Sequence, residues 1–422
     1  MTAPIKVTNV ERITLEVPFR PRVRPWNDLL IWRWRVVEIT RVETDAGLVG
    51  YGETLPFYTW GRVTDEAVAR VRGRNAFEFL ADDSLGAGLQ MALYDVIGQA
   101  LEVPLYRLLG MPKVRDLCPI AWWNTKAPPE VLAEEARDAL AEGYVAHKFK
   151  ARPWFDVVTQ VEAITAVTPP HYRLDLDWNG LLVHAGNAKP VLAALDRYEQ
   201  VAIYESPLPH EDVEGYRQLR RQTSRPIAIH FGTPPFHVAQ QQEMCDGFVV
   251  HNGIVDVMTK GAQAAAFNKP FWLQIVGPGL TSALCAHLGA VLSHAQWPAI
   301  TCLNTYSDDL LVEPLEIAGG HLRVPERPGL GVTFDESALD RYRLEPPYDL
   351  PESRHILSVV WPGGRVAHYT RMDQCWEDFA RGHLPAQERG ATLEVRREDG
   401  SKDWADLYAR ASQAPVYDLR RS

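Results

Sequence analysis

Apolar and polar positions alternate along this chain with two different periods, and the change of period marks its organisation. Over residues 31–44 (IWRWRVVEITRVET) and 46–54 (AGLVGYGET) every second position is apolar, as in strands with one buried face. Asp45 and Gly47 interrupt the run, so a hairpin is predicted there. A helix is expected from about residue 64 and another over 84–101, where Leu89, Met91, Ala92, Leu93, Val96 and Ile97 make a broad apolar face. Turn residues in 104–112 (PLYRLLGMP) close this first α+β unit, taken as residues 1–113.

From about residue 115 short apolar runs alternate with helical stretches. The runs are CPIAWW, YVAHKFK, YRLDLDW, QVAIYESP, RPIAIHF, GFVVHNG, KPFWLQIV and PAITCLN. Buried strands separated by helices in this number predict an α/β fold, a (β/α) TIM-type barrel over residues 114–311. A doubly wound sheet is the competing arrangement, but no G-x-G-x-x-G follows any of the runs. Residues 312–343 read as strands returning to the first unit, which would then cap the barrel. Residues 344–422 read as an α+β C-terminal appendage, with a hairpin around Pro362–Gly364 and a helix near MDQCWEDFARGHL. Its Trp376, Phe379 and Trp404 are expected to pack it onto the main body.

Composition narrows the function classes. A net charge of −10, with no basic stripe, argues against nucleic acid or an anionic membrane surface as a partner. No run approaches a membrane span, and the N-terminal residues lack the pattern of a signal peptide. The 5 cysteines are scattered without a C-x-x-C pair, which fits free thiols in a reducing compartment. A cytoplasmic protein acting on a small molecule is the expectation.

Four strand ends carry the candidate chemistry. One ends Lys148-Phe149-Lys150, the next Asp175-Leu176-Asp177-Trp178-Asn179, the next Glu205-Ser206-Pro207, and the next His230-Phe231. Side chains alternate along a strand, so Lys148 and Lys150 share a face, as do Asp175, Asp177 and Asn179. Each motif alone is ordinary: K-x-K is usually a pair of solvated lysines, and D-x-D-x-N a surface loop. The spacing is what joins them. From Lys150 it is 27 residues to Asp177, 28 more to Glu205 and 25 more to His230, one βα unit per step. The groups then come round one rim, where barrel enzymes place their chemistry, and ammoniums beside carboxylates make an acid/base pair.

With these residues in view, the segments AHKFK, LDLDWNG, YESPLP and RPIAIHFG resemble the catalytic strands of the enolase superfamily, in its mandelate racemase and muconate lactonizing branch. LQMALYDVIGQALEVPLYRLLG resembles the helix that ends that branch's capping domain, and LRVPERPGLGVTFD its C-terminal return. The resemblance implies abstraction of a proton alpha to a carboxylate, with an enediolate stabilised by a divalent metal. It implies Lys150 as base, Lys148 as the neighbour that lowers its pKa and touches the carboxylate, and Asp177 and Glu205 as metal ligands.

The third ligand position, acidic in the family pattern, is His230 here. Mg²⁺ prefers oxygen ligands, so Mg²⁺, another metal, no metal, or His230 as acid or base all stay open. Gly247 stands where a second-face base is expected, with Asp246 one residue away. Gln274 takes the place of a dyad histidine, Asn304 that of an acid on the eighth strand, and His251 faces either way. A base on one face only favours a lyase or isomerase of the dehydratase or cycloisomerase type over a two-base racemase. Two alternatives remain: a metal-independent enzyme using His230 and Lys150, and a catalytically silent ligand-binding barrel.

Substrate contacts are sought in two loops of the first unit. One carries Arg20, Arg22, Arg24 and Trp26, the other Phe57, Tyr58, Trp60 and Arg62. Trp122, Trp123 and Trp178 are expected to extend that wall, with Asn179, Gln274 and Asn304 as further contacts. Arginine suits carboxylates and aromatic rings suit a sugar or aromatic face, so a small organic acid is expected, a sugar acid or an aromatic-bearing acid first among them. The family resemblance also implies a homo-oligomer.

Overall fold

The computed structural model describes residues 5–58 and 61–420. The first unit is an antiparallel sheet of β1 (Val7–Glu16), β2 (Val36–Thr44) and β3 (Val49–Thr54), in that order. The helix Ala87–Ala100 lies on it, buried through Gly98. The expected strand does not begin at Ile31. Trp32–Arg35 is a 3₁₀ turn instead, because Trp34 stacks on Trp123 and meets Tyr58 edge-on, at centroid distances of 5.8 and 4.5 Å. Those tertiary contacts outweigh the local alternation.

The barrel begins after β4 (Leu117–Pro119). Its strands are β5 (Trp122–Asn124), β6 (Ala146–Lys150), β7 (Arg173–Asp177), β8 (Val201–Glu205), β9 (Ile227–His230), β10 (Gly247–Val250) and β11 (Phe271–Leu273). All are parallel and hydrogen-bonded in sequence order. The eighth run forms no strand of its own. Ala299 and Ile300 close the ring by bridging Ile120 on one side and Gln274 on the other, and Cys302 then turns left-handed at φ 59°.

The return segment differs in part from expectation. Its hairpin, β12 (Ile317–Ala318) and β13 (His321–Arg323), pairs with β4 and not with the first sheet. Contact with the first unit comes from the Leu330 amide on Asp95 at 2.8 Å and from Arg343, which bridges Leu15 of β1 antiparallel.

The tail forms a second antiparallel sheet of β14 (His355–Val360), β15 (Arg365–Tyr369), β16 (Thr392–Arg397) and β17 (Val416–Leu419), in the order β16-β14-β15-β17. The turn between β14 and β15 falls at the expected glycines, with Gly363 and Gly364 both at positive φ. Helices Met372–Ala380 and Lys402–Gln413 accompany it. Its core joins Leu357, Tyr369 and Phe379 to Trp154, Phe155 and Leu181 of the barrel loops and Leu29 of the first unit. Trp376 packs against this cluster, but Trp404 does not reach the main body; it stacks on Tyr408 and bonds the Arg396 carbonyl within the tail. No helix among the described residues is long and apolar enough to cross a membrane.

Candidate active site

Strand register does most of the assembly. Lys150 pairs with Asp177, and Asp177 with Glu205, so these side chains form one row across β6, β7 and β8 at the barrel's C-terminal rim. His230 ends β9 above that row, and His251 follows the end of β10. Asn179, Ser206 and Asn252, just past three strand ends, all take positive φ. Non-glycine residues hold such backbone only where their surroundings fix it, often at functional rims.

The side chains interlock. The Lys148 ammonium, fully buried, contacts a Glu205 oxygen, lies 3.7 Å from Asp177 Oδ2 and donates to Gln274 Oε1 at 3.0 Å. It also sits 4.7 Å above the Trp272 ring. Gln274 in turn donates to the Tyr58 hydroxyl at 3.1 Å, tying the cap to the barrel floor. The Lys150 ammonium contacts Asp177 and donates to Asn179 Oδ1 at 3.2 Å. His230 Nε2 lies 3.2 Å from Glu205 Oε1. Its ring neighbours His251 and His210, at 5.2 and 5.9 Å between centroids.

Electrostatics separate the two lysines. Burial pulls Lys148 down, but Glu205 and Asp177 outweigh it and its pKa stands above the ordinary lysine value. For Lys150 burial prevails over Asp177, the Lys148 charge adds to it, and the pKa is lowered. Burial would raise Asp177, yet Lys150, Lys148 and Arg152 hold it well below the carboxylate range. Burial lifts Asp175, below the row, to about 7. It lowers His251 to about 4, with help from His230.

A cavity of about 450 Å³ opens over this row. Of the expected residues, Tyr58, Trp123, Lys150, Asn179, His230 and Gln274 line it; Lys148, Asp177 and Glu205 lie beneath its floor. Several expected contacts lie elsewhere. Arg24 pairs with Asp28, and both Arg24 and Trp26 face a separate groove between the first unit and the tail. Arg20 and Arg22 clamp that loop to Glu142, Glu135 and Asp138. Arg62 bonds the Pro56 carbonyl at 3.0 Å. Asn304 exchanges two hydrogen bonds with the Trp123 backbone, at 2.9 and 3.0 Å, which fixes the first strand rather than a ligand. Trp122 and Trp178 are buried off the cavity, and Trp60 lies outside the described residues. Asp246 sits at the opposite end of β10, bonded to Arg220 and the Ile227 amide, so no register slip brings it to the rim.

Sequence reasoning missed Trp34, Arg152 and Trp376, which also line the cavity. Arg152 had a signal, since it continues the K-x-K alternation by one more step. Burial lowers its pKa to about 10.

The geometry is thus a parallel barrel closed by a bridging eighth segment, with lysines facing carboxylates on successive strand ends. The family model described as Enolase C-terminal domain-like matches residues 131–338. The D-gluconate dehydratase of Thermoproteus tenax is 30% identical over 383 residues, 78% of this chain and 74% of that protein. The D-galactonate dehydratase of Ralstonia nicotianae is 28% identical, over 76% of this chain and 94% of its own. Among solved structures, an enolase of Mycobacterium smegmatis crystallised with tartrate superposes with a TM-score of 0.67 at 21% identity, covering 81% of this chain and 92% of that one. The chain belongs to the enolase superfamily, and it is an enzyme of the lyase and isomerase type.

The divalent metal implied by the family does not fit these side chains as they stand. Among the described residues no three His, Cys, Asp or Glu side chains converge as ion ligands. The two carboxylates at the ligand positions are turned to lysine ammoniums, and the third position offers an imidazole nitrogen where Mg²⁺ prefers oxygen.

Proposed function

We propose that this chain dehydrates a small polyhydroxy acid, removing the proton alpha to its carboxylate with Lys150 and expelling the β-hydroxyl as water. The observation that carries the reading is the row Lys150–Asp177–Glu205 with a lysine lowered by burial beside one that stays charged. A lowered pKa makes neutral Lys150 accessible as a base. The electrons of the broken C–H bond pass into the enediolate, whose charge Lys148 and Arg152 balance from the floor and wall. Those electrons then expel the β-hydroxyl, which takes a proton from the rim, where His230 stands. Gln274 takes the place of a second-face histidine, so the α-proton is assigned to Lys150, with His230 and His251 at the rim. The dehydratase relatives support this reaction class, and the sugar-acid substrate is taken from them.

The test is exchange of the substrate α-hydrogen with D₂O over a panel of aldonates. Lys150→Ala is expected to lower exchange by about 10³-fold, the scale of a lost general base, while calorimetry still detects the acid. Binding without exchange by the wild type would make the chain a ligand-binding barrel. Elemental analysis after incubation with Mg²⁺, Mn²⁺ or Zn²⁺ is expected to find no stoichiometric ion, and His230→Glu, which restores an oxygen donor, to gain Mg²⁺ affinity. Stoichiometric metal lost in both Asp177→Ala and His230→Ala would show instead that the ammoniums yield their place to an ion.

A further inference from the structure

Part of the cavity wall comes from beyond the C-terminal end of the family model. That model ends at residue 338, whereas Trp376, from the tail helix Met372–Ala380, lines the cavity beside Lys150, Arg152 and Asn179. The Trp376 ring lies 4.6 Å from the Arg152 guanidinium carbon. Arg152 is 2% exposed and donates to Asn179 Oδ1 at 2.6 Å and to the Trp178 carbonyl at 2.9 Å, while its Nε has no hydrogen-bond partner. A buried guanidinium donor left unmatched is costly unless a ligand completes it.

The tail is held where this contact needs it. The loop leaving β6 carries Arg152, then Trp154 and Phe155, which enter the tail's core, then Asp156. Asp156 accepts from Arg389 Nε at 2.7 Å and the Gly390 amide at 2.9 Å, and its own amide donates to the Ala391 carbonyl at 3.0 Å. The loop that follows the catalytic lysines is thus also the socket of the tail.

We infer that Trp376 and Arg152 form a substrate-binding unit that sets specificity. The indole covers a C–H face of the acid's carbon chain, and Arg152 Nε donates to one of its oxygens. An acid chain with hydroxyls on one side and C–H groups on the other matches both. This rests on the dehydratase reading for its substrate class but not for its binding test. Trp376 is half-buried, so its truncation should leave the fold in place.

The experiment compares wild type, Trp376→Ala and Trp376→Phe for KM, kcat, thermal midpoint and calorimetric Kd, with aldonates and 2-hydroxy acids of increasing chain length. Trp376→Ala is expected to raise KM and Kd about tenfold, a loss of uniform binding, with kcat moving less. Trp376→Phe should recover most of the affinity, and the preference among chain lengths should broaden in the alanine variant. Unchanged Kd and chain-length preference in Trp376→Ala would overturn the inference, as would a fall in midpoint and kcat with KM intact. A wild type that binds these acids without turning them over would sink the reaction alone, and the Kd ratio would still decide the role of Trp376. Failure to bind any of the acids would overturn both.

Discussion

Asn179 serves two cations with one oxygen: Oδ1 accepts from Lys150 at 3.2 Å and from Arg152 at 2.6 Å. Its own amide donates to Asp177 Oδ1 at 2.8 Å, and its backbone turns left-handed at φ 47° to allow this. Asparagine tolerates that conformation better than most residues. Asn179→Gly keeps the turn and removes the acceptor. The α-proton exchange rate is expected to fall about 10-fold through loss of orientation at the base, with the thermal midpoint nearly unchanged. An unaltered single-turnover exchange rate would show that Lys150 needs no such tether.

Among the elements, β3 and the helix Ala87–Ala100 approach through glycine. A Cβ on Gly52 would stand 2.0 Å from the Gly88 carbonyl oxygen and 2.9 Å from the Ala92 amide. Backbone on both sides cannot give way, so Gly52→Ala is expected to cost about 3 kcal/mol, read as a lower midpoint in denaturant. The same level shows what the chain made legible. Lys148, Lys150, Asp177, Glu205 and His230 could be placed because strand period and βα spacing are local properties. Trp34 could not, since its 3₁₀ turn is held by Trp123, distant in sequence. The closure at Ala299 and Ile300 reads as a strand but is only a bridge, because the left-handed turn at Cys302 ends it. Arg24 and Trp26 were drawn toward the cavity by composition, whereas ion pairs with the neighbouring helix turn their loop away. The tail's docking depends on where Trp154 and Asp156 emerge, which no periodicity encodes.

At the scale of the whole molecule, first unit, barrel and tail meet around Lys126. It is fully buried, it donates to the Trp26 carbonyl at 3.5 Å, and burial, with Arg152 nearby, lowers its pKa from 10.5 to about 7. The folded protein sheds this proton near pH 7, while the unfolded chain keeps it to about 10.5. The group therefore weakens the fold most below pH 7, and stability from this source rises as pH climbs from 7 towards 10.5. Lys126→Met should stabilise the protein by about 3 kcal/mol at pH 6, the gain shrinking towards pH 10. Midpoints of wild type and variant across that range check it; a constant difference would mean that Lys126 is not titrating in the folded state.

The socket between the β6 loop and the tail has a consequence for how the enzyme is made. Residues 355–420, which supply the last wall, follow the barrel in the chain, so they emerge from the ribosome after everything they complete. Until they arrive, a nascent barrel presents Leu29, Trp154, Phe155 and Leu181 uncovered. The tail buries that apolar crown, and the same docking brings Trp376 to the cavity. Hiding the exposed surface and finishing the pocket are therefore a single act of folding.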